Sequence, residues 1–289
     1  MDGTLVDSNH KINEEFWEVL EKLKERGIKF IVASGRRYDN LLDKFIEHKE
    51  DIIFIAENGA LGMEKGKELF SDVLEKDKIA EFVKLGRTIP NAATILSGKK
   101  AGYMEKGNEL AYKEASIGMN DLKLVDNLLD VEDEILKVAI FEKESSYDNL
   151  YPYYKKFEDT HTVVVSGKFW MDIMSKGVNK GSALEKIQNY LNIDKSETAV
   201  FGDYLNDLEM FKKAKIAFAM ENGHDELKKI ATHNAKSNDE NGVARCAPSC
   251  WHAWAPMCGT TRQQPPWRCW KSWKKPPACG CCASPAPHR

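Results

Sequence analysis

The first 245 residues of this 289-residue sequence contain no cysteine. No apolar run in the sequence approaches the roughly 18 residues that a membrane-spanning helix needs. The opening residues, Met1-Asp2-Gly3-Thr4, have neither the basic nor the apolar stretch of a secretory signal peptide. These absences exclude a membrane partner, give no indication of export, and favour a cytoplasmic protein.

Residues 246–289 have a composition unlike the rest of the chain. They hold all seven cysteines, five of the seven tryptophans and eight of the ten prolines, and they lack acidic and aliphatic residues other than Ala and one Met. Cys279 and Cys282 have C-x-x-C spacing, but a zinc ribbon needs a second such pair at an ordered spacing. We interpret this tail as out-of-frame translation, with a disordered extension or a metal site as alternatives.

The charge of the chain is divided unevenly between the tail and the rest. The formal net charge is −3, and removing the six Lys and Arg of the tail leaves −9 for residues 1–245. An acidic surface repels the phosphates of a nucleic acid, so we expect no nucleic-acid partner. The hydrophobic and charged fractions, 42% and 30%, are those of an ordinary soluble protein with one large domain or two smaller ones.

Helices and short apolar strands alternate at both ends of residues 1–245, which is typical of an α/β protein with a parallel sheet. Near the start, Asn13 is a plausible N-cap for the first helix. The predicted elements there are a helix over 13–26, strands at 28–33 and 52–56 with a helix near 37–49 between them, and a hairpin over 60–72. After Lys180 the predicted elements are helices at 180–191, 206–213 and 224–231 and strands at 197–201 and 215–219.

The intervening stretch follows a different rhythm. It mixes two or three helices with strands such as 135–142 and 161–166, as an inserted α+β domain would. We therefore predict a Rossmann-like parallel-sheet core formed by residues 1–73 and 174–245. Residues 74–173 are predicted to form an α+β cap.

Polar residues follow two of the predicted core strands, at the edge where parallel α/β sheets bind ligands. Ser34 and Gly35 follow the first strand, and a hydroxyl with exposed amides at such a turn can cradle a phosphate. A plain structural turn explains these two residues equally well. Asp203, Asn206 and Asp207 follow the strand at 197–201 and offer the oxygen ligands that Mg²⁺ prefers. Capping of the next helix by Asp203 is the alternative.

Two further segments add charge and a hydroxyl to this set. Lys180 stands at a helix start, where its charge could neutralise a phosphate, although alone it is simply a surface lysine. Asp2-Gly3-Thr4 combines an acid, a turn-forming glycine and a hydroxyl, as the exit of a strand often does. Each signal is modest, and their order along the chain carries the interpretation.

In combination, D-G-T, S-G-R, a lysine before a helix and G-D-x-x-N-D resemble the four motifs of the haloacid dehalogenase superfamily. Sequences between the motifs resemble its Cof-type branch, whose large cap (class IIB) follows the second motif. These are Glu57-Asn58-Gly59-Ala60, Lys176-Gly177-Val178-Asn179-Lys180-Gly181, Ala219-Met220-Glu221-Asn222 and Ser237-Asn238-Asp239-Glu240-Asn241-Gly242-Val243-Ala244. The resemblance covers residues 1 to about 245.

The resemblance implies a role for each matching residue. Asp2 would be the general acid and base, and Thr4 the hydroxyl of the first motif. Ser34, with Gly35, would bind the phosphate, and Lys180 would neutralise its charge. The implied Mg²⁺ ligands are Asp2, Asp203, Asn206 and Asp207, with Asp203 binding directly and Asp207 either directly or through water. The implied substrate-approaching loops contain Asn58, Gly59 and Asn222.

The family's first motif is D-x-D-G-T, and its first Asp attacks the phosphate. The alignment places that nucleophile two positions before Asp2, before the first residue of the sequence, together with the strand that leads into it. We therefore expect the chain as written to be inactive and poorly stable. A late start codon or truncated gene would explain this, and a genuine pseudo-enzyme is the alternative.

The function that the resemblance implies is Mg²⁺-dependent hydrolysis of a small phosphorylated metabolite through an aspartyl-phosphate. The implied substrates are sugar phosphates, nucleotides, flavin mononucleotide or pyridoxal phosphate. Three cap residues, Tyr103, Trp170 and Asp172, are candidates to line the pocket, although the two aromatics are expected to pack. The rival hypothesis is a protein that binds a phosphorylated ligand without turning it over. A zinc or nucleic-acid role for the tail is a third. The sequence does not indicate an oligomeric state.

Overall fold

The computed structural model of the chain describes residues 1–254. Most of the predicted anomalous tail, including Cys279 and Cys282, lies outside the described residues. The chain forms two compact units. The first consists of Met1–Phe30 with the described residues from Leu184 onward, and the second of Ile31–Ala183. The core and cap boundaries given above remain predictions.

The helices and strands follow one another as the alternating pattern of the sequence predicts at both ends of the chain. The helices are α1 (Glu14–Glu25), α2 (Tyr38–Lys44), α3 (Lys76–Gly86), α4 (Glu109–Gly118), α5 (Ser146–Asn149), α6 (Tyr151–Tyr154), α7 (Lys180–Leu191), α8 (Leu208–Lys212), α9 (Asp225–Ile230) and α10 (Gly242–Trp254). The strands are β1 (Phe30–Ala33), β2 (Ile52–Ala56), β3 (Leu61–Glu64), β4 (Lys67–Ser71), β5 (Ala93–Gly98), β6 (Gly102–Glu105), β7 (Leu122–Val125), β8 (Ile135–Phe141), β9 (His161–Val165), β10 (Trp170–Ser175), β11 (Ala199–Gly202), β12 (Ile216–Met220) and β13 (His233–Ala235).

The first unit contains a three-stranded parallel sheet in the order β11-β12-β13. Its middle strand, β12, is buried along its whole length. Helix α1 begins where it was predicted, because the Asn13 side chain accepts a hydrogen bond from the Glu15 amide and satisfies an otherwise unpaired donor. Helix α10 continues beyond residue 245 into the start of the tail. The buried Cys246 packs there with Phe218 and Met220.

The second unit contains two sheets. One has the order β1-β2-β3-β4, and its β3–β4 hairpin confirms the prediction for residues 60–72. The hairpin turns at Lys65 and Gly66, which both have positive φ. The other sheet has the order β7-β6-β5-β8-β10-β9. Along the chain, helices α3 to α6 come before or between its strands. The strands expected at 135–142 and 161–166 are β8 and β9, so the α+β character of this stretch is confirmed.

One expectation differs from the structure. The returning βα rhythm suggested a single core sheet, yet the strands at the two ends of the chain belong to two separate sheets. β1 stands at the end of one sheet and β11 at the end of the other. A repeated βα rhythm predicts crossover units, but only hydrogen-bonded pairing joins strands into one sheet. Among residues 1–254, no helix is long and apolar enough to cross a membrane.

Candidate active site

The Asp2-Gly3-Thr4 segment of the first unit forms a tight loop. The Met1 carbonyl accepts hydrogen bonds from the amides of Thr4 and Leu5, at 3.2 and 2.9 Å. Gly3 adopts φ +70°, which a glycine takes without steric penalty. Thr4 is buried, and its hydroxyl donates a hydrogen bond to Oδ1 of Asp203. The structure thus brings the first and fourth predicted motifs into direct contact.

The loop lies close to the Asp203 side chain at Gly3. A Cβ atom added to Gly3 would lie 2.3 Å from Oδ2 of Asp203, so the carboxylate would have to move to admit it. On the other side of the loop, the Asn222 side-chain amide donates to the Gly3 carbonyl at 2.7 Å. Asp203, Gly3, Thr4 and Asn222 therefore form one connected group.

Asp207 holds the turn that carries Asp203. Its Oδ2 accepts hydrogen bonds from the backbone amides of Asp203, at 3.0 Å, and Tyr204, at 3.4 Å. Asp207 is only 3% exposed, whereas the Asp203 side chain is half-buried. Asp207, not Asp203, occupies the N-cap position of α8, and its side chain makes no capping hydrogen bond to that helix. The Asp203 carbonyl in turn accepts from the His224 amide at 2.8 Å.

The donor atoms of this group suit a hard divalent cation. Asp203, Asp207 and Asp2 supply carboxylates and Asn206 an amide, and such oxygen ligands are what Mg²⁺ takes. Asp2 is exposed and Asn206 half-buried. Within residues 1–254 the three carboxylates do not form a set whose oxygens all lie within 4.8 Å of one another. The Asp203 carboxylate is the donor of this set that a side-chain hydrogen bond holds in place, since the Thr4 hydroxyl donates to its Oδ1.

Ser34 belongs to a second connected group, which lies within the second unit. It directly follows β1 and is 2% exposed. Its amide donates to the Ile55 carbonyl, and its own carbonyl accepts from the Asn58 amide, both at 2.9 Å. Its hydroxyl oxygen accepts from the Arg36 amide at 3.2 Å. The loop after β1 and the loop after β2 are therefore joined by backbone hydrogen bonds.

The loop after β2 has an unusual backbone. Glu57, Asn58 and Gly59 have φ values of 50°, 54° and 109°, all in the region that side chains disfavour. A Cβ on Gly59 would lie 2.4 Å from the Asn179 carbonyl oxygen, so the two backbones are in close contact. Lys180, the first residue of α7, follows directly and is 3% exposed. This unit thus brings Ser34, Asn58, Gly59 and the start of α7 together.

Sequence reasoning missed Lys137, which links these loops to the six-stranded sheet. Its Nζ donates to the Gly35 carbonyl at 2.9 Å. It also lies 2.9 Å from Oε2 of Glu57, in an ionic contact without hydrogen-bond alignment, and 3.7 Å from Oδ2 of Asp172. The same Asp172 oxygen accepts from the Asn58 side-chain amide at 2.8 Å. A lone lysine among the apolar residues of β8 was the available signal.

The pKa values of Lys137 and Asp172 are both raised, for different physical reasons. Burial lowers the pKa of Lys137, but the carboxylates of Asp172 and Glu57 outweigh that effect and raise it overall, so the lysine stays charged. Burial, with the nearby Glu57 charge, raises the pKa of Asp172 despite the opposing effect of Lys137. Lys137 lies closer to Glu57, at 2.9 Å, than to Asp172, at 3.7 Å, and Asp172 also accepts a hydrogen bond from the Asn58 side chain.

The two aromatic candidates of the predicted cap make packing contacts, as expected. The ring of Trp170 packs on Phe141 at a centroid distance of 5.2 Å. The Tyr103 hydroxyl hydrogen-bonds to Asp133 at 3.1 Å. Burial, followed by the Asp133 charge, raises the pKa of Tyr103 to about 12. Tyr103 is therefore neutral at physiological pH.

Comparison with known proteins identifies the family of this chain. The sequence model of the haloacid dehalogenase-like hydrolase family matches residues 1–246. The 5-amino-6-(5-phospho-D-ribitylamino)uracil phosphatase YbjI of Escherichia coli is 35% identical over 250 residues, covering 84% of this chain and 91% of its own length. The crystal structure of SMU.1108c from Streptococcus mutans aligns with a TM-score of 0.81 and 31% identity, covering 87% of this chain and 97% of that chain.

A further structural neighbour supports the fold. The subclass IIB sugar phosphatase BT4131 aligns with a TM-score of 0.76 at 20% identity, covering 88% of this chain and 97% of that chain. The predicted α/β fold with a Rossmann-like core is thereby confirmed. The chain belongs to the haloacid dehalogenase-like hydrolases, and by lineage it is a phosphatase.

Proposed function

We propose that this protein is by function a phosphatase that hydrolyses a small phosphomonoester with Mg²⁺ and an aspartyl-phosphate intermediate, and that the chain as written, without the attacking aspartate of the family motif, is inactive. The observation that carries the proposal is the contact of Gly3 and Thr4 with the Asp203 carboxylate. Residues 199 apart in sequence are joined there by a hydrogen bond, and a Cβ added at position 3 would displace the Asp203 carboxylate. Such a contact is expected where a carboxylate must be positioned for chemistry.

Mg²⁺ would be held by Asp203, with Asp2, Asn206 and Asp207 as the further oxygen donors. The bound ion would lower the repulsion between an attacking carboxylate and a phosphate dianion. Thr4 orients the Asp203 carboxylate by donating to one of its oxygens. Asp207 acts mainly through the backbone, since its Oδ2 accepts from two amides of the turn.

Ser34 and Gly35 would bind the phosphate, and Lys180 would neutralise its charge. The Ser34 oxygen accepts from the Arg36 amide, so its own proton is left to donate to a phosphate oxygen. Asn58 and Gly59 would border the same ligand, and Asn222 would hold the Gly3 loop that leads to Asp203. A lysine charge close to the transferred phosphoryl group stabilises the transition state electrostatically.

Asp2 would act as the general acid and base. It would donate a proton to the leaving alkoxide and later accept one from the water that hydrolyses the aspartyl-phosphate. In the first motif of the family that the sequence resembles, the attacking aspartate stands two positions before the residue that Asp2 matches. The proposed substrate is a sugar phosphate or a ribitylamino-type phosphate, after the names of the relatives YbjI and BT4131.

The test compares two chains, the sequence as printed and one extended upstream by an apolar strand ending in D-x before Asp2. Both are assayed for phosphate release from p-nitrophenyl phosphate and a panel of phosphomonoesters, with Mg²⁺ or EDTA. The expected result is Mg²⁺-dependent release by the extended chain. Asp203→Asn should reduce kcat by about 100-fold or more, as losses of preorganised electrostatic groups do.

The matched control is Asp194→Asn. Asp194 is exposed and caps a short helix in the same unit, so it should leave kcat unchanged. Release from the extended chain that Asp203→Asn leaves intact would contradict the proposal. Tight phosphate-ester binding without any release would instead favour the rival hypothesis of a non-catalytic binding protein.

A further inference from the structure

We propose that Asp172 and Lys137 are positioning residues that set the two phosphate-facing loops of the second unit, an inference that rests on the proposed function. Neither residue belongs to the four motifs, and both come from the six-stranded sheet. Lys137 contacts both loops, through Gly35 and Glu57, and Asp172 contacts the loop after β2. Asp172 holds Asn58, and Lys137 holds Gly35.

Asp172 fixes the orientation of the Asn58 side chain. The Asn58 NH₂ group donates to Oδ2 of Asp172 at 2.8 Å, which turns this edge of the amide towards the carboxyl group. A Cβ on Gly35 would lie 3.0 Å from Oδ1 and 3.2 Å from Nδ2 of Asn58, so the amide group also lies against the Gly35 backbone. The Asn58 amide is held as well, by the Ser34 carbonyl. Asn58 is thus fixed from two sides.

Lys137 fixes the peptide that orients the Ser34 hydroxyl. Its Nζ donates to the Gly35 carbonyl, which belongs to the same rigid peptide plane as the Arg36 amide. That amide points the opposite way and donates to the Ser34 oxygen. Holding the carbonyl therefore holds the amide, and the Ser34 proton stays available for a ligand.

The burial of these charges argues against a purely structural role. The other residues of β8 are apolar, and all seven of its residues are buried. Replacing a buried ion pair by apolar residues of similar volume is often neutral or stabilising, so stability alone does not require a lysine there. A buried ionic group that contacts two ligand-facing loops is better explained by the geometry it imposes on them.

The test measures equilibrium binding of inorganic phosphate, with Mg²⁺, to the full 289-residue chain by titration calorimetry. The variants are Asp172→Asn, Lys137→Met, Asn58→Ala and the double variant Asp172→Asn/Asn58→Ala. Glu142→Gln is the matched control. Glu142 is also a buried acid of this unit, but it accepts from Ser145, Glu144 and Asn149 and contacts neither loop. Thermal unfolding of every variant is recorded in parallel.

We expect Asp172→Asn and Lys137→Met each to weaken phosphate binding about 10-fold or more. Losing a residue that orients a metal ligand has an effect of this size, and these two residues orient phosphate-facing loops in the same way. Glu142→Gln should change it less than about 2-fold at a similar loss of thermal stability. In the Asn58→Ala background, Asp172→Asn should add almost nothing, because its effect passes through Asn58. If the role were merely structural, the losses of phosphate affinity in Asp172→Asn and Asn58→Ala would multiply in the double variant, or Glu142→Gln would lose as much affinity as Asp172→Asn. Either result would overturn the proposal.

The outcome separates this inference from the proposed function. A chain that binds phosphate in an Asp172-dependent way but, after extension, hydrolyses no phosphomonoester refutes only the phosphatase activity. A chain that hydrolyses phosphomonoesters while Asp172→Asn binds phosphate normally refutes only the positioning role. A chain that binds no inorganic phosphate at all also refutes the positioning role, since there is then no ligand for the loops to face.

Discussion

Replacing Gly59 with alanine tests the strained contact between the loop after β2 and the start of α7. The new Cβ would lie 2.4 Å from the Asn179 carbonyl oxygen and 2.6 Å from its carbon, both of them backbone atoms. A flexible side chain could swing away, but a backbone at a helix start must shift as a whole. The substitution also places a side-chain-bearing residue at φ +109°.

The expected loss of unfolding free energy has two parts. An unfavourable backbone conformation costs about 1–3 kcal/mol, and forcing an extra carbon into a packed site costs typically about 1–3 kcal/mol. Reduced freedom of the unfolded chain returns about 0.4–1 kcal/mol. We therefore expect Gly59→Ala to lower the free energy of unfolding by roughly 1–6 kcal/mol.

Gly66→Ala is the matched control for the backbone term. Gly66 has φ +71°, and a Cβ there would meet nothing within 4 Å. Its loss should be about 0–2 kcal/mol, the left-handed penalty less the same return from the unfolded chain. Both variants are compared by urea unfolding followed by circular dichroism. Equal losses in the two variants would refute the claim that contact with Asn179 requires a glycine at position 59.

Two further predictions concern single side chains. Thr4→Val removes the hydroxyl bonded to the Asp203 carboxylate and should lower the free energy of unfolding by about 1–3 kcal/mol. The exposed Thr88→Val should change it by less than about 0.5 kcal/mol, and equal urea midpoints would count against the Thr4 contact. His161 has a lowered pKa, chiefly from burial and also from Lys78, so the unfolded chain binds its proton more readily than the folded chain. The stability that neutral His161 contributes is therefore full above the unfolded pKa of about 6.5 and is lost as the pH falls below it. In urea unfolding from about pH 8 to about pH 5, the free energy of unfolding should decline less for His161→Gln than for the unmodified chain.

Much of the secondary structure could be read from the sequence because local signals agreed with the final packing. The helix predicted at 180–191 has those bounds, and Asn13 caps α1 as expected. β13 was missed because His233-Asn234-Ala235 has no apolar pattern. It is a strand only because it pairs with β12. Helix α10 was missed because the change of composition after residue 245 suggested an end, whereas small residues such as Cys246 pack well.

The residues of the candidate site likewise include some that the sequence indicated and some that it did not. Motif order predicted Ser34, Asp203 and Lys180, because they stand in the order of the motifs that the sequence resembles. Asp172 was named only as a candidate pocket residue and Lys137 was not named, because a lone lysine or aspartate in a strand carries no local sign of its partner. Their roles depend on pairing between β8 and β10, which places both residues beside the loops after β1 and β2.

The three consecutive positive φ values at Glu57, Asn58 and Gly59 have a consequence for how fast a ligand can be captured. A loop held in a rare conformation by the ionic contact of Glu57 with Lys137 has already lost its freedom before any ligand arrives. Binding then needs no ordering of this loop, so that entropy is not subtracted from the affinity. Association should accordingly proceed in one kinetic phase, without a slow rearrangement of residues 57–59 after the encounter.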